Sequence, residues 1–222
     1  MGIGALHVAR TGLDAQNFKM QVIANNLANV NTSGFKRDRA AFETLAYQIL
    51  NSAGAPNVAD TKFAIGQNLG TGVEVAGTSR IETQGTMQPT GKTLDLAIDG
   101  AGFFQLQMPD GRIGYTRAGA FNLNAEGVIV SNDGLPVQPQ IQIPAGASNV
   151  TIGNDGTVSA VPSGQGTPVE LGKIEIANFT NTAGLQAIGN NLLVETAASG
   201  APLVGAGGSD GRGFIRSGSL ES

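Results

Sequence analysis

The sequence predicts a mainly β protein with one long N-terminal α-helix: an antiparallel sandwich or barrel-like domain joined to a coiled-coil-type terminal helix. Three observations carry this. Apolar residues repeat at alternating 3-4 spacing from Leu6 to Val30. From Val73 onward, short β-prone runs alternate with turns bearing Gly, Asn and Asp. Charged residues are only 14% of the chain while Gly is 33 of 222, a turn-rich and weakly charged composition.

The helix comes first. Leu6, Ala9, Leu13, Gln16, Met20, Ile23, Leu27 and Val30 form a heptad seam, apolar except at Gln16. The spacing predicts a helix over 3–31, about 40 Å long. Asn25, Asn26 and Asn29 crowd its last turns, although Asn is a poor helix former because its amide competes for backbone groups. Gly34, after Asn31 and Ser33, is the expected left-handed residue at the helix end. A narrow apolar stripe calls for a helix partner, and the rest of the chain offers none. Packing on the chain's own domain is the competing reading.

Residues 35–71 come next. Phe35, Phe42, Leu45, Tyr47 and Leu50 anchor a segment that continues into the turn-rich "NSAGAPNVADTKFAIGQNLGTG". This reads as an extended arm, and its length points to function rather than mere connection. The third region, 72–222, holds the β runs, among them "VEVAGTSRIET", "LDLAIDG", "GFFQLQM", "VQPQIQIP" and "NLLVET". "PDGR", "NAEG", "SNDG" and "GNDG" separate them, with type I′ turns expected at sites such as Asn154-Asp155-Gly156. "NTAGLQAIG" is expected to hold one helical turn. The domains are therefore 1–34, 35–71 and 72–222.

Several function classes find little support. A net charge of −4 without a long basic run argues against nucleic acid. No apolar run approaches a membrane span, and "MGIGALHVAR" is not a Sec-type signal. With zero Cys and one His, His7, nothing suggests a thiol nucleophile or a metal site. Asp95 and Asp99 lie four apart but have no acidic or His companion, so they read as surface carboxylates. No phosphate or dinucleotide loop is present. The expectation is a protein without catalytic residues, metal or cofactor. Its weak charge suits self-association.

Three motifs carry a family resemblance. "ANNLANVNTSGFKR" sits inside "TGLDAQNFKMQVIANNLANVNTSGFKRDRAAFETLAYQ", "DLAIDGAGFFQL" is followed by "YTRAGAF", and "GLQAIGNNLLVET" precedes "SGAP". Together they span most of the chain and resemble the axial proteins of the bacterial flagellum, the rod and hook family. "FETLAYQILNSAGAP", with "IGQNLGTGV" after it, resembles an insertion of the rod branch.

The resemblance implies a structural, non-enzymatic subunit of the basal-body rod, built into a helical tube that passes torque to the hook. It implies copies of itself, proximal rod and hook subunits and the surrounding basal-body rings as partners. It also implies a periplasm-spanning location reached without a cleaved signal. A hook or proximal rod subunit is the alternative within the family, and a secreted β-rich adhesin the alternative outside it. In the family the N-terminal helix pairs with a C-terminal one. "GFIRSGSLES" resembles the passage just before it, so that partner is expected to be missing from these residues.

The resemblance and the heptad pattern agree on the assembly residues. Leu6, Leu13, Met20, Ile23, Leu27 and Val30 form the seam. Asn25, Asn26 and Asn29 are expected to fix register by directional bonds between copies.

Overall fold

The computed structural model describes every residue except 1, 55, 59, 60, 63 and 165. It resolves the chain into two units, each discontinuous in sequence. The first comprises Met1–Ala28 and Arg37–Ile81, and the second Asn29–Lys36 and Glu82–Ser222.

Among the described residues the first unit holds α1 (Gly2–Ala28) and the strands β1 (Asp38–Thr44), β2 (Tyr47–Asn51), β3 (Pro56–Val58), β4 (Thr61–Lys62), β5 (Gln67–Gly70) and β6 (Val73–Arg80). β1 pairs with β6, β2 with β5 and β3 with β4, all antiparallel. The described strands between 38 and 80 thus nest as three antiparallel pairs, a two-stranded ribbon. The expected arm is its outer part. The run at 73–80, expected with the β domain, is instead the return strand of the ribbon, in register from Asp38↔Arg80 to Thr44↔Val73. Alternation identifies a strand but not its partner, and these two lie some thirty residues apart.

The ribbon root gives α1 a partner within the chain, but on a face other than the heptad seam. α1 packs on β1 and β6. It does so through Thr11, Ala15, Phe18, Val22 and Asn26, the inward-facing residues, of which Ala15 is buried and the others half-buried. The approach is close. A Cβ on Gly72, whose φ is +126°, would lie 2.4 Å from the Thr11 hydroxyl, and that hydroxyl accepts the Val73 N–H at 3.4 Å.

The second unit is β throughout, apart from a 3₁₀ turn at Thr182–Gly184. The expected helical turn in "NTAGLQAIG" is this one. The strands are β7 (Met87–Pro89), β8 (Leu96–Asp99), β9 (Phe103–Gln107), β10 (Ile113–Thr116), β11 (Phe121–Leu123), β12 (Ile129–Ser131), β13 (Ser148–Ile152), β14 (Thr157–Val161), β15 (Val169–Lys173), β16 (Ile176–Asn178), β17 (Gln186–Gly189), β18 (Leu192–Val194), β19 (Leu203–Gly205), β20 (Phe214–Ser217) and β21 (Ser219–Glu221). A six-stranded sheet runs β17-β18-β10-β9-β16-β19, and β13-β14-β15 form a second sheet. β11–β12, β20–β8 and β21–β7 are pairs.

β9 lies at the centre and is buried on both faces, which explains why "GFFQLQ" reads as a near-continuous apolar run. Phe104 and Leu106 enter the larger core with Leu96, Ile98, Ile176 and Ile215. Phe103 points the other way, into a smaller core with Tyr115, Phe179 and Leu193. The rings meet edge to face, Phe104 on Phe121 at 5.2 Å and Tyr115 on Phe179 at 4.8 Å.

Two local expectations fail for identifiable reasons. "VQPQIQIP" makes only isolated bridges, such as Leu106↔Val137 and Val128↔Gln142. Its prolines cannot donate to a ladder. The turns are not type I′, which needs positive φ at both central residues. At 153–156 only Gly156 has it, at +93°, and its N–H donates to the Gly153 carbonyl at 2.9 Å. Asp155 then accepts the Thr157 N–H, so a side chain rather than a left-handed Asn or Asp shapes the turn.

Candidate assembly surface

At 3.6 residues per turn, the docked face of α1 and the heptad seam lie on roughly opposite sides of the helix. The seam is therefore bare. Leu6, Leu13, Met20, Ile23, Leu27 and Val30 are 53–71% exposed. Val30 itself lies just past the helix, which ends at Ala28 rather than at 31. A row of six large apolar side chains left in water is not what a finished monomer presents.

The three amides occupy different surroundings. Asn26 faces the ribbon. Its amide donates to the Asp38 carbonyl at 2.8 Å, and its oxygen accepts the Asp38 N–H at 3.0 Å. Asn29 supports the turn after α1, accepting from the Thr32 hydroxyl and, through its carbonyl, from the Thr32 N–H. Asn25 is exposed.

Residues 29–36 plug into the β unit. The Ser33 carbonyl accepts from Asn191. Gly34 has φ +70°, and a Cβ there would lie 2.4 Å from the Ala118 nitrogen, so the motif needs Gly for space as well as for conformation. Lys36 is buried and reaches the Thr83 carbonyl and the Glu221 carboxylate. Glu221 also meets Arg117 at 3.5 Å. Burial pushes the Arg117 guanidinium down from its ordinary value, and the carboxylates of Glu221 and Glu82 pull it back up. Single charges in turn-rich motifs resemble solvated surface residues, so sequence reasoning did not single out Lys36, Arg117 or Glu221.

The outer ribbon is a second bare surface. Tyr47, Ile49, Leu50, Ile65 and Leu69 are all exposed. The two aspartates considered for acid–base work are each held by a cation, Asp95 by Lys92 and Asp99 by Arg216. His7 is exposed. Among the described residues no cluster of His, Cys, Asp and Glu is arranged to hold a metal, and no helix is long and apolar enough to cross a membrane.

Comparison with known proteins places the chain in a family. Residues 6–36 match the family model for the flagella basal body rod protein, and residues 97–160 that for the flagellar hook protein FlgE/F/G D1 domain. The flagellar basal-body rod protein FlgG of Buchnera aphidicola subsp. Acyrthosiphon pisum is 47% identical over 99% of this chain and 85% of its own length. The chain belongs to the flagellar basal-body rod protein family. FlgG of Agrobacterium fabrum is 45% identical over 98% of the chain and 83% of that protein. The hook protein FlgE of Treponema pallidum is 40% identical, but over 58% of the chain and 27% of its own length. As a rod-family member the chain is a structural component of the flagellar basal body, not an enzyme, and it assembles with other axial proteins. The adhesin reading has no support.

Proposed function

We propose that the chain is the repeating subunit of the distal rod, polymerising through the α1 seam into a helical tube that crosses the periplasm and passes torque to the hook. Its neighbours are copies of itself, then proximal rod and hook subunits at the two ends, with the basal-body rings around it. One observation carries this reading: α1 satisfies one face on its own ribbon and leaves Leu6, Leu13, Met20, Ile23 and Leu27 in water, and Val30, past its end, is exposed as well. Heterologous contacts between such faces extend into a filament when the rotation from copy to copy does not close a ring. Each buried Leu contributes about 1.5–3 kcal/mol. Asn25 and Asn29 flank the seam and set its register.

Leu13→Asp together with Leu27→Asp should abolish tube formation while leaving circular dichroism and thermal unfolding of the β unit unchanged. Electron microscopy showing normal tubes from the double variant would remove the seam from the assembly.

A further inference from the structure

The six-stranded sheet has two outer edges, β17 and β19. An open edge presents unpaired backbone groups on which another strand can add. β17 carries a bulge between Ala187 and Gly189, which bends that edge and spoils it as a template. β19 has no bulge. It pairs with β16 in unbroken register from Ile176↔Gly205 to Asn178↔Leu203. It bears no charge, and Leu203 and Val204 are both exposed, at 57% and 41%. A regular, uncharged and apolar edge of this kind invites a second copy.

The chain after β19 turns back onto it. Asp210 and Gly211 are both left-handed, with φ of +47° and +76°, and the return brings Arg212 over the strand. The Arg212 side chain is buried. Its Nη1 donates to the Leu203 carbonyl at 3.4 Å and its Nε to the Ala206 carbonyl at 3.2 Å. Nη2 donates to the Ser209 hydroxyl at 2.9 Å and to the Asp210 carboxylate at 2.7 Å. The guanidinium lies against Gly205: a Cβ there would be 2.4 Å from Nη2 and 2.8 Å from Cζ. Gly213, next in the chain, donates its N–H to the Ala101 carbonyl at 2.7 Å and so fixes the point from which Arg212 reaches. A left-handed Asp is uncommon, and Arg is seldom buried unless paired. Both occur together at this one sheet edge.

We propose that Arg212 is an edge guard: its guanidinium closes β19 to strand addition and keeps two copies of the chain from joining sheet to sheet. The contact it prevents is isologous, β19 of one copy running antiparallel to β19 of a second, and it would close as a dimer. To make that contact, the incoming strand must take the Leu203 carbonyl from the guanidinium and leave a buried cation with fewer partners, which is unfavourable. The guard thereby confines association to other surfaces of the chain. It acts whether or not α1 builds a tube.

Sedimentation and hydrogen exchange of the full chain test the guard. Leu13→Asp and Leu27→Asp are present throughout to silence the seam, and each variant is compared with the same chain carrying Arg212. Arg212→Ala should add a dimer that grows with concentration. In it the outward amides of β19 should exchange about tenfold or more slowly, while those of Leu106 and Tyr115 should not change. Adding Leu203→Lys, which puts a charge on the edge, should remove the dimer. A lower thermal midpoint with no dimer would make Arg212 a brace for its own loop and overturn the proposal. So would a dimer whose β19 amides stay unprotected, or one that persists with Leu203→Lys. Should Arg212→Ala fail to fold, Gly205→Ala decides. The atoms nearest its Cβ all belong to Arg212, so the added methyl displaces the guanidinium and keeps the charge. This variant should dimerise in the same way, and a lack of new dimer overturns the guard.

Discussion

Tyr115 packs edge-on against Phe179 in the smaller core and is almost fully buried. Burial, with a smaller contribution from the Glu195 charge, pushes its phenol up to about 12. The unfolded phenol titrates near 10, so the neutral form is what the fold holds. This contribution is complete below pH 10 and is lost as pH rises from 10 through 12. It amounts to about 2–3 kcal/mol. In a Tyr47→Phe background, absorbance at 295 nm should rise only near pH 12, and Tyr115→Phe should remove that part of the alkaline loss of stability. Ionisation near pH 10 in the folded protein would show that the ring is not sealed. Residues of this kind show what a sequence can convey. The apolar partners of Tyr115 lie on recognisable strands, so a buried ring there was foreseeable. The roles of Asn25, Asn26 and Asn29 were not separable, because helical spacing does not say which amide meets a backbone pair such as that of Asp38. The Lys36–Glu221 bridge joins residues 185 positions apart, and no local pattern announces it.

At the level of elements, α1 carries two opposed faces, and only one was legible. The seam stood out because its residues are large and apolar. The docked face uses Thr11, Ala15, Phe18, Val22 and Asn26, too mixed to read as a stripe: Asn26 bonds the Asp38 backbone, and Thr11 sits where Gly72 comes close. The ribbon poses the reverse problem. Its strands are short and its outer part exposes apolar side chains, from Tyr47 to Leu69. A two-stranded ribbon is marginal alone in water, so the outer part needs neighbours, which the proposed tube supplies. Removing 47–70 joins Ala46 to Thr71, whose hydroxyl already donates to the Ala46 carbonyl at 2.6 Å. The β1–β6 root should stay intact. The tubes formed should bend more readily, since contacts that resist sliding between subunits are gone. Electron micrographs showing tubes as straight as those of the full chain would assign the ribbon another task.

For the whole molecule, the two units matter more than the three consecutive regions that composition suggests. A fragment starting at residue 72 looks like the β domain, yet it keeps β6 without β1 and loses residues 29–36. Glu221 then lacks Lys36, the Asn191 amide loses the Ser33 carbonyl, and the groove beside Ala118 is emptied of Gly34. Removing one partner of a buried ion pair costs about 3–5 kcal/mol. The complete unit can be made as a single chain, because its two crossings adjoin: the Ile81 N–H donates to the Arg37 carbonyl at 2.9 Å. A short Gly-Ser link from Lys36 to Glu82 would replace the ribbon without strain. The linked chain of 29–36 and 82–222 should unfold in one cooperative transition, with a midpoint on the order of 10 °C above that of the fragment 72–222. Lys36→Met in the linked chain should erase part of that gain, since the buried Glu221 carboxylate then keeps only Arg117 of its two cations. Equal midpoints for the linked chain and the fragment would mean that 29–36 rides on the β unit without stabilising it, and that the signature motif serves α1 alone.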